Sequence, residues 1–202
     1  MEIYFVNVEQ LAGKEDAALA LLSPARREKA ERLRFGPAQR QSLGAGLLLR
    51  HVFGPRDPAI APGGKPFFSG EAEFCLSHSG RFAALAVSGE AVGLDLETVA
   101  PVREAVIRRV LTPEERRWLA DAGEAGFAFL WTRKEAALKL LGTGVDRSLR
   151  SFRVLPEDEP MLDGRRICLR TIRWEDCVLT AAAEAPFSLP ELRELPAEEL
   201  LT

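Results

Sequence analysis

An α+β fold in two halves, residues 1–100 and 101–202, is predicted by the order of elements along the chain. In the first half, short β-branched and aromatic runs are interleaved with amphipathic helical stretches. After Val99-Ala100-Pro101 the order becomes helices, then one long helix, then strands. With 202 residues, 47% apolar and 28% charged, the chain carries enough apolar side chains for a substantial core. A formal net charge of -3 argues against a protein that coats nucleic acid, although a local basic run can still bind a phosphorylated ligand. No run of about 18 apolar residues offers a membrane-crossing helix, and Met1-Glu2-Ile3-Tyr4-Phe5 is not a charged-then-apolar leader. Cys75, Cys168 and Cys177 form no CxxC pair and read as packing residues in a reducing compartment. A cytoplasmic protein without membrane or nucleic-acid partners is expected.

Taken in order, Ile3 to Val8 reads as a first strand that pairs with a later one. Ser23-Pro24 reads as an N-cap with proline at the first helical position, opening a helix to about Leu33. From Arg26 to Arg50, seven basic residues, including Arg26, Lys29, Arg34 and Arg40, stand against two acidic ones. This cluster is either an anion-binding surface or a solvated helix face. Pro37 to Phe53 forms a second helix with Leu43, Leu47 and Val52 in its apolar stripe, followed by a Pro/Gly-rich loop to Gly64. Phe74 to Leu76 reads as a short strand, Ser77-His78-Ser79-Gly80 as a polar turn, and Phe82 to Val87 as the next strand. Ser88-Gly89-Glu90 then turns the chain, hairpin-like, into Val92-Gly93-Leu94-Asp95-Leu96-Glu97.

On that strand Leu94 and Leu96 point to one face and Asp95 and Glu97 to the other. The two carboxylates stand roughly 6–7 Å apart, close enough to share a cation and too close to be indifferent to one another. An exposed acidic strand face would look the same. In the second half a helix runs from Pro101 to Val110, and Thr112-Pro113-Glu114-Glu115 carries the T-x-x-E pattern of a capping box, which offers Glu115 a structural job. A loop from Asp121 to Gly126 leads to a long helix, Phe127 to Leu141, stopped by Gly142-Thr143-Gly144. Trp131, Glu135 and Lys139, four apart, share one stripe of it, with Lys134 and Leu138 beside them. Phe152 to Leu155, Ile167 to Trp174 and Cys177 to Ala183 read as strands, Asp163-Gly164 as a turn, and the acidic tail from Glu191 as frayed. Neither a GxxxxGK[ST] loop nor a GxGxxG fingerprint occurs, which removes the commonest nucleotide-binding folds.

In order and spacing, Gly64-Lys65-Pro66, Leu76-Ser77-His78-Ser79, Gly93-Leu94-Asp95-Leu96-Glu97 and Trp131-Thr132-Arg133-Lys134-Glu135-Ala136-Ala137-Leu138-Lys139 together resemble the Sfp-type 4'-phosphopantetheinyl transferase family. Ser23 to Arg40 is similar to that family's basic N-terminal helix, so the resemblance covers most of the chain. It implies two similar α/β halves in a pseudo-twofold arrangement, with coenzyme A in the cleft between them. The implied activity of the monomer is transfer of the 4'-phosphopantetheine arm to a serine of an apo acyl or peptidyl carrier protein, releasing adenosine 3',5'-bisphosphate. By the same resemblance Asp95, Glu97 and Glu135 hold Mg²⁺, Lys65, Ser77, His78 and Lys139 lie near the pyrophosphate, and Arg26, Lys29 and Arg40 lie near the 3'-phosphate. Where the family often has Asn, this chain has Cys75.

The chemistry of these residue types agrees with that implication. An all-oxygen donor set suits Mg²⁺ and suits zinc poorly. Displacement at phosphorus needs alignment and charge neutralisation more than covalent catalysis, which lysines, a histidine and a metal provide. Glu135, Lys139, Glu115 and His78 are the expected catalytic set. Glu135, Glu115 or a metal-bound water is available to take the serine proton. Two other readings use the same residues: a Mg²⁺-dependent coenzyme A or nucleotide pyrophosphatase, and a module that binds coenzyme A or a carrier without turnover. The full set Asp95, Glu97, Glu135 and Lys139 argues against the second.

Overall fold

In the computed structural model, residues 1–33, 36–142, 149–189 and 191–202 are described; Arg34 of the basic cluster and Thr143-Gly144 of the helix stop lie outside them. Along β1 (Glu2–Asn7), Ile3 and Phe5 alternate with Tyr4 and Val6, so both faces are apolar and the strand fits only between two layers. It pairs antiparallel with β5 (Phe82–Ser88) and parallel with β11 (Leu192–Glu194), and β5 pairs with β4 (Glu73–Ser79), giving the order β11-β1-β5-β4. A second, antiparallel sheet has β10 (Cys177–Ala183) between β6 (Gly93–Thr98) and β9 (Cys168–Trp174). Two small hairpins, β2 (Ala59–Ile60) with β3 (Pro66–Phe67) and β7 (Met161–Leu162) with β8 (Arg165–Arg166), lie outside these sheets.

Helices cover one face of each sheet. α3 (Pro37–Phe53) packs on β5 and β4, and α1 (Glu15–Leu21) and α2 (Pro24–Glu31) pack on α3. α6 (Gly126–Leu141) packs on β6 and β10, with α5 (Pro113–Asp121) against it and α4 (Glu104–Val110) nearby. The other faces share a middle core, in which Ile3, Phe5, Phe82 and Ala84 meet Leu94, Leu96, Leu179 and Ala181. β6 therefore lies in the second sheet although it precedes residue 100, and β11 returns to the first.

The sheets meet where β4 and β6 run side by side in the same direction. Among the described residues no backbone ladder joins these strands; side chains of β4 bridge them instead. Cys75 Sγ lies 3.6 Å from the Leu94 carbonyl, Ser77 Oγ accepts the Leu96 N–H at 3.1 Å, and Ser79 Oγ accepts the Thr98 N–H at 3.0 Å. Residues two apart on a strand share a face, which is why three alternate positions of β4 serve one seam.

Several local expectations are corrected. Ser77, His78 and Ser79 are not a turn but the end of β4, because the seam gives both serines hydrogen-bond partners; the turn is at Gly80-Arg81. β5 and β6 do not form a hairpin, since β6 takes β10 as its partner. Phe152 to Leu155 is not a strand: its carbonyls are captured by buried cations of α6. The tail is not frayed, because β11 pairs with β1, and α7 (Ala197–Leu200) buries Ala197 and Leu200. α1 was not read in the sequence. Ser23 precedes α2 as its N-cap residue, but its side chain makes no capping hydrogen bond. All three cysteines are free and buried, as packing residues should be.

Candidate active site

Gly93 determines how closely α6 approaches β6. A Cβ there would lie 2.0 Å from the Ala136 carbonyl oxygen and 2.8 Å from the Leu140 nitrogen, so only glycine lets the helix backbone rest on the strand. Asp95 and Glu97 share the face of Gly93, while Leu94 and Leu96 enter the middle core. On α6, Glu135 and Lys139 lie one turn apart on the side turned to those carboxylates. Lys139 Nζ reaches Asp95 Oδ1 at 2.6 Å and Ser77 Oγ at 3.1 Å.

These groups line a cleft of about 480 Å³ whose opposite wall comes from α2, α3, β4 and the β2–β3 hairpin. Arg26, Lys29, Lys65, His78 and Lys139 line it together with Asp95, Glu97 and Glu135. Lys65 Nζ donates to the Val92 carbonyl at 3.1 Å and lies 3.7 Å from Glu73. Arg26 Nη2 donates to the Ser42 carbonyl at 3.0 Å, while Arg26 Nε and the Ser42 hydroxyl, both buried, have no partner among the described residues. Two donors without acceptors at one end of a cleft are what an anion would satisfy.

The electrostatics divide the cleft. Burial pushes the Asp95 carboxyl above the usual carboxylate range, against the pull of Lys139 and Ser77. Glu97 is raised by burial and by Asp95, with the Ser79 hydrogen bond opposing, and Glu135 is raised by burial, Asp95 and Glu97. Burial lowers Lys139, but Asp95, Cys75 and Glu135 together outweigh it and the lysine is raised. Burial lowers His78, and Lys139, Lys29 and Arg26 lower it further, so its imidazole is neutral at pH 7. Asp95 Oδ2 is buried and has no hydrogen-bond partner among the described residues.

Two predicted site residues do not join the cleft. Arg40 pairs with Glu15 at 3.4 Å, on the unread α1. Glu115 is fully buried and forms the capping box with Thr112. Its Oε2 accepts the Thr112 N–H at 2.8 Å, and its Oε1 accepts the Val154 N–H at 2.9 Å and Lys134 Nζ at 3.0 Å. Lys134 also donates to the carbonyls of Leu149 at 2.7 Å and Phe152 at 2.6 Å. Beside it, Arg133 donates to the carbonyls of Val154 at 2.7 Å and Leu155 at 2.8 Å. The basic pair in Trp131-Thr132-Arg133-Lys134-Glu135 is therefore a clamp on the following segment, and Glu135 and Lys139 are the charged residues of α6 that line the cleft.

Sequence reasoning missed Gly93 as the helix-contact point, Ser42 and Ser79. A glycine inside a strand and a serine inside an apolar helix stretch were the available signals.

A cleft lined by basic side chains and clustered carboxylates thus lies at the meeting of two helix-covered sheets. Residues 91–182 match the model of the 4'-phosphopantetheinyl transferase superfamily. A 4'-phosphopantetheinyl transferase of Bacillus subtilis is 30% identical over the full length of both chains. The 4'-phosphopantetheinyl transferase psf-1 of Bacillus pumilus is 32% identical, covering 75% of this chain and 73% of its own. Sfp of Bacillus subtilis strain 168 is 26% identical over 76% of each. The chain belongs to the 4'-phosphopantetheinyl transferase superfamily and is of the Sfp type.

Proposed function

We propose that the cleft binds coenzyme A and passes its 4'-phosphopantetheine arm to a serine of an apo acyl or peptidyl carrier protein, releasing adenosine 3',5'-bisphosphate. The observation that carries this reading is that Arg26, Lys29, Lys65 and His78 line the same cleft as Asp95, Glu97, Glu135 and the Asp95-paired Lys139. Arg26, Lys29 and the partnerless Ser42 hydroxyl would take the 3'-phosphate. Lys65 and Lys139 would neutralise the pyrophosphate, and His78 would orient it as a hydrogen-bond donor. Ser77, whose proton is held by Asp95, lies beside it next to Lys139.

Mg²⁺ fits the carboxylate wall. The donors are all oxygen, Asp95 Oδ2 is buried without a partner among the described residues, and all three carboxyls are raised by burial, with Asp95 adding repulsion on Glu97 and Glu135 that a divalent cation would relieve. Among the described residues no three His, Cys, Asp or Glu are grouped to hold an ion by themselves; Mg²⁺ commonly takes one or two carboxylates and fills its shell with phosphate oxygens and water. When bound, the ion supplies charge neutralisation at the pyrophosphate. Glu135, which lines the cleft beside Asp95 and Glu97, takes the proton of the carrier serine. The serine oxygen then bonds the phosphorus that bears the pantetheine arm as the bridging P–O bond breaks toward the adenosine bisphosphate. Arg40 and Glu115 are left out of this reading because both are paired outside the cleft.

The arrangement is read as two halves, 1–100 and 101–202, in pseudo-twofold relation, each built around a sheet under one long helix, with β6 and β11 exchanged between the two sheets. The enzyme would act as a cytoplasmic monomer on coenzyme A and its carrier. The test is incubation with coenzyme A, Mg²⁺ and apo acyl and peptidyl carriers, weighing the carriers intact. A mass gain of one arm, abolished in a folded Asp95→Ala variant, is the expected result. Release of adenosine bisphosphate without carrier labelling would mark a pyrophosphatase, and coenzyme A binding without either product a binding module.

A further inference from the structure

The two serines of the seam repeat one hydrogen-bonding unit. Ser77 Oγ is approached by two donors, the Leu96 N–H at 3.1 Å and Lys139 Nζ at 3.1 Å, so its single proton goes to Asp95 Oδ1 at 3.0 Å. Two residues on, Ser79 Oγ accepts the Thr98 N–H at 3.0 Å and lies 2.9 Å from Glu97 Oε1, to which it donates. The Thr98 hydroxyl, 3.1 Å away, completes the shell of Ser79. In each unit a serine of β4 is pinned by the backbone N–H of β6 that follows the carboxylate it holds. The anchor is thus part of the strand itself, and the carboxylate cannot swing away without losing its hydrogen bond to the anchored serine.

We propose that Ser79 is a positioning residue for Mg²⁺ binding, aiming Glu97 as Ser77 aims Asp95, so that both carboxylates face the cleft in register before any ligand arrives. This rests on the assignment of Asp95 and Glu97 to Mg²⁺ in the proposed function. Ser79 itself does not line the cleft and touches no substrate in that reading. Hydrogen-bond partners of metal ligands typically matter by about 10–100-fold in metal affinity. The competing account is that Ser79 only fills the seam.

The seam supplies a variant that separates the two. At Cys75 a thiol already sits at the same kind of position, against Leu94 O at 3.6 Å, so Ser79→Cys keeps the filling and replaces a strong donor with a weak one. Mg²⁺ is titrated calorimetrically into wild type, Ser79→Cys and Ser79→Ala, each saturated with coenzyme A and without carrier, beside a thermal melt. Half-saturating Mg²⁺ and kcat for carrier loading are measured in parallel. Both variants are expected to bind Mg²⁺ at least about 10-fold more weakly. The Mg²⁺ requirement should rise more than kcat at saturating Mg²⁺ falls, and metal-free coenzyme A affinity should be unchanged. Wild-type Mg²⁺ affinity in Ser79→Cys, with or without a defect in Ser79→Ala, overturns the proposal and leaves Ser79 a seam filler. A wild type that binds no Mg²⁺ in the presence of coenzyme A overturns it together with the metal assignment. Failure of the transfer reading shows separately, as unlabelled carriers in the mass assay.

Discussion

Replacing Glu115 by glutamine turns one carboxylate oxygen into an N–H donor at a place where only donors face it. The capping box alone forecasts little effect, because glutamine can still reach the Thr112 N–H. The structure adds the Val154 N–H at 2.9 Å and Lys134 Nζ at 3.0 Å on the other oxygen, with both side chains of the ion pair 0% exposed. A glutamine amide must therefore set its own N–H against at least one of these donors, and it leaves the Lys134 ammonium buried without its counter-charge. Removing one partner of a buried pair costs about 3–5 kcal/mol. That is a large part of the ~5–15 kcal/mol by which a typical domain is stable. For a chain of this size the melting temperature should fall by about 2–4 °C per kcal/mol, hence by roughly 6–20 °C. Urea midpoints and thermal melts of Glu115→Gln, beside carrier loading per folded molecule at a temperature well below the transition, make the comparison. An unchanged melt with a rate loss of about 10²–10⁴-fold would refute the reasoning and make Glu115 the general base.

Three further outcomes are expected. Gly93→Ala should lift α6 from β6, cost about 1–3 kcal/mol or more by overpacking, and weaken the Lys139–Asp95 contact, seen as a lower melting temperature with reduced loading; wild-type values would show that the close approach is dispensable. His78 is held below its usual value, so the folded state binds fewer protons than the unfolded one between that lowered value and about 6.5, and this group's contribution to stability is lost as pH falls through that window. NMR titration of the chain's 2 histidines should show the His78 pKa rising when coenzyme A binds, and no change would mean that no phosphate lies beside it. Coenzyme A should bind more tightly than dephospho-coenzyme A, and Arg26→Ala and Lys29→Ala should narrow that preference; equal preference in variants and wild type would leave this wall a solvated face.

What the sequence determined by itself is what short-range geometry controls. Residues two apart on a strand share a face and residues four apart on a helix share a stripe, so Asp95 with Glu97 and Glu135 with Lys139 were legible as pairs. The capping box at Thr112 and Glu115 was legible for the same reason. Where partners come from far along the chain, local signals misled. Ser77-His78-Ser79 has turn-like composition, yet it is strand, because β6 supplies the N–H groups that its hydroxyls accept. The tail looked too acidic to order, but β1 offers a ladder and the core takes Leu200. Phe152 to Leu155 has strand-like side chains, while Arg133 and Lys134, buried on α6, claim its carbonyls. Glu115 and Arg40 likewise found their ion-pair partners, Lys134 and Glu15, by packing. Only the tertiary structure decided these cases, because a buried polar group must be satisfied by whichever partner the packing brings to it, and sequence separation does not limit which one that is.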